Sequence, residues 1–255
     1  MDALTLLRLQ LEWGADEALE TEPVNRLRAT PRAPLRTPNA EPHPSVPSLA
    51  PHSAAQRAEA AAAKAATLDQ LRGAVTAFTG CPLRDTATNL VFAEGDPHAE
   101  LLLIGDPPGA DEDRSGHPFA GAAGTMLDAM LASIGLSRER LLLVPVIPWR
   151  APGGRPPSAS EVAVCLPFLH RLIALAAPRR ILLVGELCPR YLLGSGRRRA
   201  TTGWVEVVVP GLSSAVPAIA IPAPGTLMRT PSLRRAAWTE LRLLRRAIDP
   251  DLADS

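Results

Sequence analysis

The chain has 255 residues, of which 46% are hydrophobic and 21% charged, with a formal net charge of +1. That length holds one full α/β core plus an appendage, and no membrane span is expected, because no apolar run approaches the roughly 20 residues a bilayer requires. The first residues carry Asp2, Arg8 and Glu12 and lack a basic start followed by a small-residue cleavage site, so no secretion signal is expected and the cytoplasm is the expected location. Cys81, Cys165 and Cys188 are too few and too scattered for a disulfide framework, which makes reduced thiols the expectation.

In chain order, residues 1–21 carry helical spacing at Leu4, Leu7 and Leu11, and residues 22–52 are dense in Pro, Ser, Thr and Arg with few large apolar groups. Such a stretch buries too little surface to repay its ordering entropy and reads as a disordered linker, free to take a protein partner. Residues 53–250 then form the folded domain. Ser53 to Ala77 reads as one Ala-rich helix. Leu101 to Ile104 is a buried strand stopped by Gly105-Asp106-Pro107-Pro108-Gly109, and open α/β sheets place their ligand sites at such C-terminal strand ends. Thr125 to Ile134 has helical period, Arg140 to Val146 is an apolar strand, and Ser158 to Ala176 is a helix with Ser158 and Glu161 at capping-box spacing. Arg180 to Val184, Trp204 to Val209 and Ala218 to Ile221 follow as strands, and Ser232 to Ile248 as an amphipathic helix. This alternation predicts a three-layer α/β/α fold around a mostly parallel sheet.

Charge is uneven: from Arg190 to Arg246 there are ten arginines against Glu206 and Glu240 alone. Either a polyanion meets this half, or the arginines are a solvated product of a composition in which Lys64 is the single lysine. The Gly105 loop lacks both the Gly-Lys-Ser/Thr end of a nucleotide loop and the three-glycine dinucleotide pattern, so no nucleotide cofactor is expected.

Several segments, taken in order, resemble the uracil-DNA glycosylases, in particular the bacterial and archaeal type-4 group. They are Cys81-Pro82-Leu83, Asn89 to Gly95, the Gly105 loop, Gly116-His117-Pro118-Phe119, Ile134-Gly135-Leu136, Trp149 to Arg155, Cys165-Leu166-Pro167-Phe168 and Leu227 to Pro231. The resemblance runs from about Gly80 to Leu244. It implies hydrolysis of the glycosidic bond of a flipped-out uracil or other damaged base for base excision repair.

Residue by residue, the resemblance carries over unevenly. Asp106 stands where the family loop Gly-Glu-Ala-Pro-Gly has its carboxylate, which would orient water; on its own terms it reads equally as a loop carboxylate or a helix cap. Phe119 falls at the base-stacking position and Gly105 beside it, with core packing as the other reading of the ring. Pro145 replaces the asparagine that reads uracil, and Ile221 takes the place of the histidine that stabilises the departing anion, two losses that weaken catalysis. Arg229 and the Arg197-Arg198-Arg199 cluster fit DNA phosphates. Of four cysteines that hold the family's [4Fe–4S] cluster, Cys81 and Cys165 remain, with Phe78 and Trp149 at the other two positions, so no cluster and no other cofactor is expected. Three functions stay open: a weakened glycosylase acting on single-stranded or uracil-containing DNA, an inactive DNA-binding relative, and a protein that recruits a partner through residues 1–52.

Overall fold

Leu101–Gly105 (β2) is buried at every position, as a strand covered on both faces must be. In the computed structural model, which describes residues 53–193 and 202–249, this strand belongs to a six-stranded sheet with Glu94–Gly95 (β1), Leu142–Pro145 (β3), Arg180–Val184 (β4), Val205–Val207 (β5) and Val216–Ile221 (β6). The order is β1-β3-β2-β4-β6-β5. The central strands run parallel, while β1 and β5 close the edges antiparallel. After β3 has settled on one flank of β2, the chain crosses to the other flank to form β4. This reversal opens a crevice at the C-terminal ends of β2, β3 and β4, the place where open α/β sheets hold ligands.

Helices cover both faces: Ala54–Ala63 (α1), Leu68–Ala77 (α2), Pro82–Thr86 (α3), Ala110–Ser115 (α4), Gly121–Ala132 (α5), Ala159–Ala176 (α6), Leu187–Leu192 (α7), Pro224–Arg229 (α8) and Arg234–Ile248 (α9). Alternate strand residues face opposite ways. Leu102, Ile104, Val144 and Leu183 pack with Leu71 of α2 and Phe168 and Leu172 of α6. Leu101, Leu103, Leu182 and Ile219 pack with Leu127 of α5 and Leu241 and Leu244 of α9. The three-layer α/β/α fold expected from the sequence is therefore present. Helix α6 is apolar because it lies in the core, burying Val162, Val164, Cys165, Phe168 and Leu169 among others.

Some elements differ from expectation. The helix expected over Ser53 to Ala77 is two helices, because the Thr67 hydroxyl accepts from the Gln70 N–H and caps α2 afresh. Thr67-Leu68-Asp69-Gln70 carries the capping-box spacing that marks such a restart. Strand β1 and the short helices α4 and α7 had no periodic signal, being too short to show one. The expected N-terminal helix 1–21, the linker 22–52 and Arg197, Arg198 and Arg199 lie outside the described residues.

At the start of α6 the expected capping box is formed: Ser158 Oγ accepts from Glu161 N, and Glu161 Oε2 accepts from Ser158 N at 2.6 Å. Arg155 also donates to both Glu161 oxygens, at 2.6 and 2.9 Å, and this ion pair, first among the causes, holds the Glu161 carboxyl down at about 2. A carboxyl lowered on folding stabilises above the unfolded value near 4.3 and loses that contribution as pH falls through the folded one. Glu161→Ala is therefore expected to cost about 1–2 kcal/mol at neutral pH, a typical value for a lost helix cap. Urea melts of wild type and variant should converge as the pH approaches 2; a difference that persists there would assign the loss to packing instead.

Candidate active site

Gly105 ends β2 with no side chain, and the Phe119 ring uses the space: a Cβ on Gly105 would lie 2.4 Å from Phe119 Cζ. Phe119 itself is in the left-handed region, at φ 54, a strained state for an aromatic residue that persists only where its surroundings enforce it. Arg138 enforces it by donating to the Phe119 carbonyl at 2.7 Å and to that of Pro118 at 3.3 Å, and the same guanidinium is anchored on Asp128. Gly124 of α5 completes the seat, since a Cβ there would come within 1.8 Å of the Phe119 oxygen. The ring is thus held in place from the backbone up, and Arg138 is a positioning residue that the sequence reading missed.

Pro145 ends β3 directly opposite Gly105. Together with Val91, Asp106, Pro108, Glu112, Pro118 and Phe119 it lines a cleft at the C-terminal edge of the sheet, with about 10 Å³ of free space. That is at the lower limit for one water molecule. Of the sequence-predicted site residues, Gly105, Asp106, Phe119 and Pro145 meet here. No basic side chain lines the cleft, and the groups that do carry charge, Asp106 and Glu112, are both acidic.

The Asp106 carboxylate is occupied by backbone. Oδ1 accepts from Leu187 N at 2.8 Å and Cys188 N at 2.9 Å, and Oδ2 accepts from Glu186 N at 2.9 Å. These amides open α7, after the bend at Gly185, where a Cβ would meet the carboxylate at 2.1 Å. The helix-cap reading is therefore realised across two loops rather than within one. Glu112 was not anticipated, although Gly109 and Glu112 stand at capping-box spacing. Its Oε2 accepts from Gly109 N at 2.9 Å, and burial, with the neighbouring Asp111 charge adding to it, pushes its carboxyl above the usual range. His117 pairs with Glu94 at 2.9 Å on the exposed surface.

The second loop requires a correction. Ile221 is the last residue of β6, paired with Val184 and 1% exposed within the core of the second face, so it is a core residue and does not line the loop. The loop meets its helix at Ala223-Pro224, where Ala223 is the N-cap and Pro224 the first residue of α8. Taking this pair as the counterpart of His-Pro also removes the two extra residues that an alignment on Ile221 requires. The side chain at that place is then a methyl group, again with no proton to donate. Arg229 ends α8 and is exposed.

Cys81 and Cys165 are brought together, with their sulfurs 3.8 Å apart. Phe78 and Trp149 are buried in the same core as these two cysteines, and Phe78 packs edge-on against Phe168. Two thiols are half of what a [4Fe–4S] cluster takes, and among the described residues no three His, Cys, Asp or Glu side chains gather to hold a metal. The donor set does not fit the cluster. The contact with Cys165 draws the Cys81 thiol down to about 7 against the effect of burial, while the same contact and burial push Cys165 far up. Cys165→Ala is expected to move the Cys81 titration upward by a unit or more, to or above the ordinary thiol range near 8.5, followed by thiolate ultraviolet absorbance; an unmoved midpoint would mean that the pair is not hydrogen-bonded. Cys188 is a buried thiol donating to the Ile104 and Val184 carbonyls.

Residues 92–242 match the sequence profile of the Uracil DNA glycosylase superfamily. The chain belongs to that superfamily. Over 127 residues it is 35% identical to the type-4 uracil-DNA glycosylase of Sulfurisphaera tokodaii, covering 49% of this chain and 58% of the relative. It is 38% identical over 120 residues to that of Pyrobaculum aerophilum, covering 47% and 61%, and 37% identical over 126 residues to that of Archaeoglobus fulgidus, covering 49% and 63%. These relatives uphold the type-4 resemblance. The chain spans about three fifths of the length of the curated relatives it matches.

Proposed function

We propose that this member of the glycosylase superfamily is a DNA-binding protein whose uracil excision is severely weakened. The observation that carries the reading is the commitment of Asp106: all three of its hydrogen bonds go to the amides of residues 186–188, so the carboxylate available to orient water in the cleft is already serving as a cap. Pro145 offers no amide to read a base, and Ala223 no proton for a departing anion. By contrast, an aromatic ring is kept at the family's base-stacking position, with Phe119 seated over Gly105 and its carbonyl held by Arg138. This favours contact with unpaired bases, which makes single-stranded DNA the proposed ligand, met in the cytoplasm. Recruitment of a protein partner through residues 1–52 is compatible with this and stays a separate proposal.

The test is single-turnover excision on a uracil-containing single-stranded oligonucleotide at high protein excess, with Asp106→Asn as control. The expected result is no abasic sites, read as strand breaks after alkali treatment, above a protein-free control, together with salt-sensitive binding of the same oligonucleotide. Cleavage that disappears in the Asp106→Asn protein would establish a working glycosylase and overturn the reading.

A further inference from the structure

Among the described residues, every large apolar side chain left exposed, Trp204, Val208, Met228, Leu233 and Trp238, lies between residues 204 and 238. Soluble surfaces scatter such groups singly along the chain; here all of them fall in the one stretch that runs from just before β5 into α9. Helix α9 runs through this region. It buries Ala237, Glu240, Leu241 and Leu244 against the sheet, so the opposite face, on which Arg235, Trp238, Arg242 and Arg246 recur every three or four residues, is turned to solvent. Trp238 is 41% exposed. None of these three arginines has an ion pair or side-chain hydrogen bond among the described residues. Arg234, by contrast, is occupied, donating to the Leu227 carbonyl at 3.0 Å.

The helix also has a direction. It begins just after α8 and Arg229, on the loop that follows β6 at the cleft end of the sheet. Its last residue, Ile248, lines a cavity with Leu101 and Arg180, the first residues of β2 and β4. The row of arginines therefore spans about 16 Å of helix axis, leading from the cleft toward the opposite end of the sheet. Trp204 stands beside it, because Glu240 of α9 accepts from the N–H of Gly203 at 2.9 Å.

We infer that the outer face of α9 is a track for the single strand that leaves the cleft, with Arg235, Arg242 and Arg246 on its phosphates and the Trp238 indole stacked on a base. The inference rests on the DNA-binding reading above and extends it to a surface outside the cleft. Charge complementarity selects a polyanion, and an indole set between unpaired arginines selects unpaired bases over duplex, whose bases are already stacked. The arrangement requires no chemistry in the cleft.

The experiment is fluorescence anisotropy of the full chain with a labelled oligothymidylate across a salt series. Wild type should bind with a strongly negative salt slope. Replacing Arg235, Arg242 and Arg246 together by Ala should weaken binding at least about tenfold at low salt and reduce the slope by about 2, at roughly 0.7 per phosphate of single strand. Trp238→Ala should weaken it about 5- to 100-fold, and Trp238→Phe should recover most of the loss. Because all four side chains are solvent-facing, the melting temperatures should stay within a few degrees of wild type. Wild-type binding that the arginine and Trp238→Ala variants leave unchanged overturns the track while the DNA-binding reading stands; no binding by wild type at any salt overturns both. Equal affinity for duplex with no effect of Trp238→Ala, or a dimer by sedimentation that Trp238→Ala dissociates, also overturns the track.

Discussion

Asp106→Ala should lower the unfolding free energy by about 3 kcal/mol, a fall of roughly 6–12 °C in Tm for a domain of this size. The carboxylate accepts from the amides of Glu186, Leu187 and Cys188. Removing it leaves two part-buried donors, the amides of Leu187 and Cys188, unmet and unties the β2 loop from the β4 loop. Charge-assisted bonds of this kind are worth more than neutral ones, and an unmet donor costs its full desolvation. Asp106→Asn keeps one acceptor oxygen but turns an NH₂ toward amide donors, so it should fall between wild type and the alanine variant. Asp106→Glu, which restores the length of the family's side chain, should also destabilise, because the Gly185 bend leaves no room behind the carboxylate. A catalytic Asp106 predicts the reverse pattern. Variants with unchanged melting temperatures and abolished excision would refute the cap.

What the sequence made legible follows from range of interaction. The β2 strand, the α6 cap and the alternation of elements depend on neighbours within a few residues, so periodicity and capping spacing reveal them. Phe119 and Gly105 could be placed in one site by motif resemblance, but the reason for the pairing, a ring occupying the space of a missing Cβ, exists only once α5 has packed. The destination of Asp106 was not legible, because its donors arrive some 80 residues later at the turn after β4. Arg138 was illegible for the same reason: its acceptors lie 19 and 20 residues away. Ile221 shows the opposite failure. The strand expected to end at Ile221 does end there; what misled was aligning on the proline directly after it, because the proline that opens α8 comes three residues later.

Pro145→Asn combined with Ala223→His should bring single-turnover excision of uracil to at least about a hundredfold above the protein-free background. One preorganised donor to a developing anion is typically worth 10²–10³ in rate, and two acting on the same base do not simply multiply. Both positions can accept the change. Ala223 is an N-cap with extended backbone and a partly exposed side chain, and Pro145 faces the cleft beside Phe119. The comparison that gives the experiment its force is Ile221→His. An imidazole there would be buried beside Val184 without a partner, at a cost of about 3 kcal/mol, and should lower Tm while leaving excision where it was. If Ala223→His with Pro145→Asn produces no rise although the variant is folded and binds DNA, the tight cleft does not admit a flipped base. In that case the replacement of the family's asparagine and histidine by Pro145 and Ala223 followed a closed pocket and is not what weakens excision. A rise seen with Ile221→His and not with Ala223→His would return the histidine position to the end of β6.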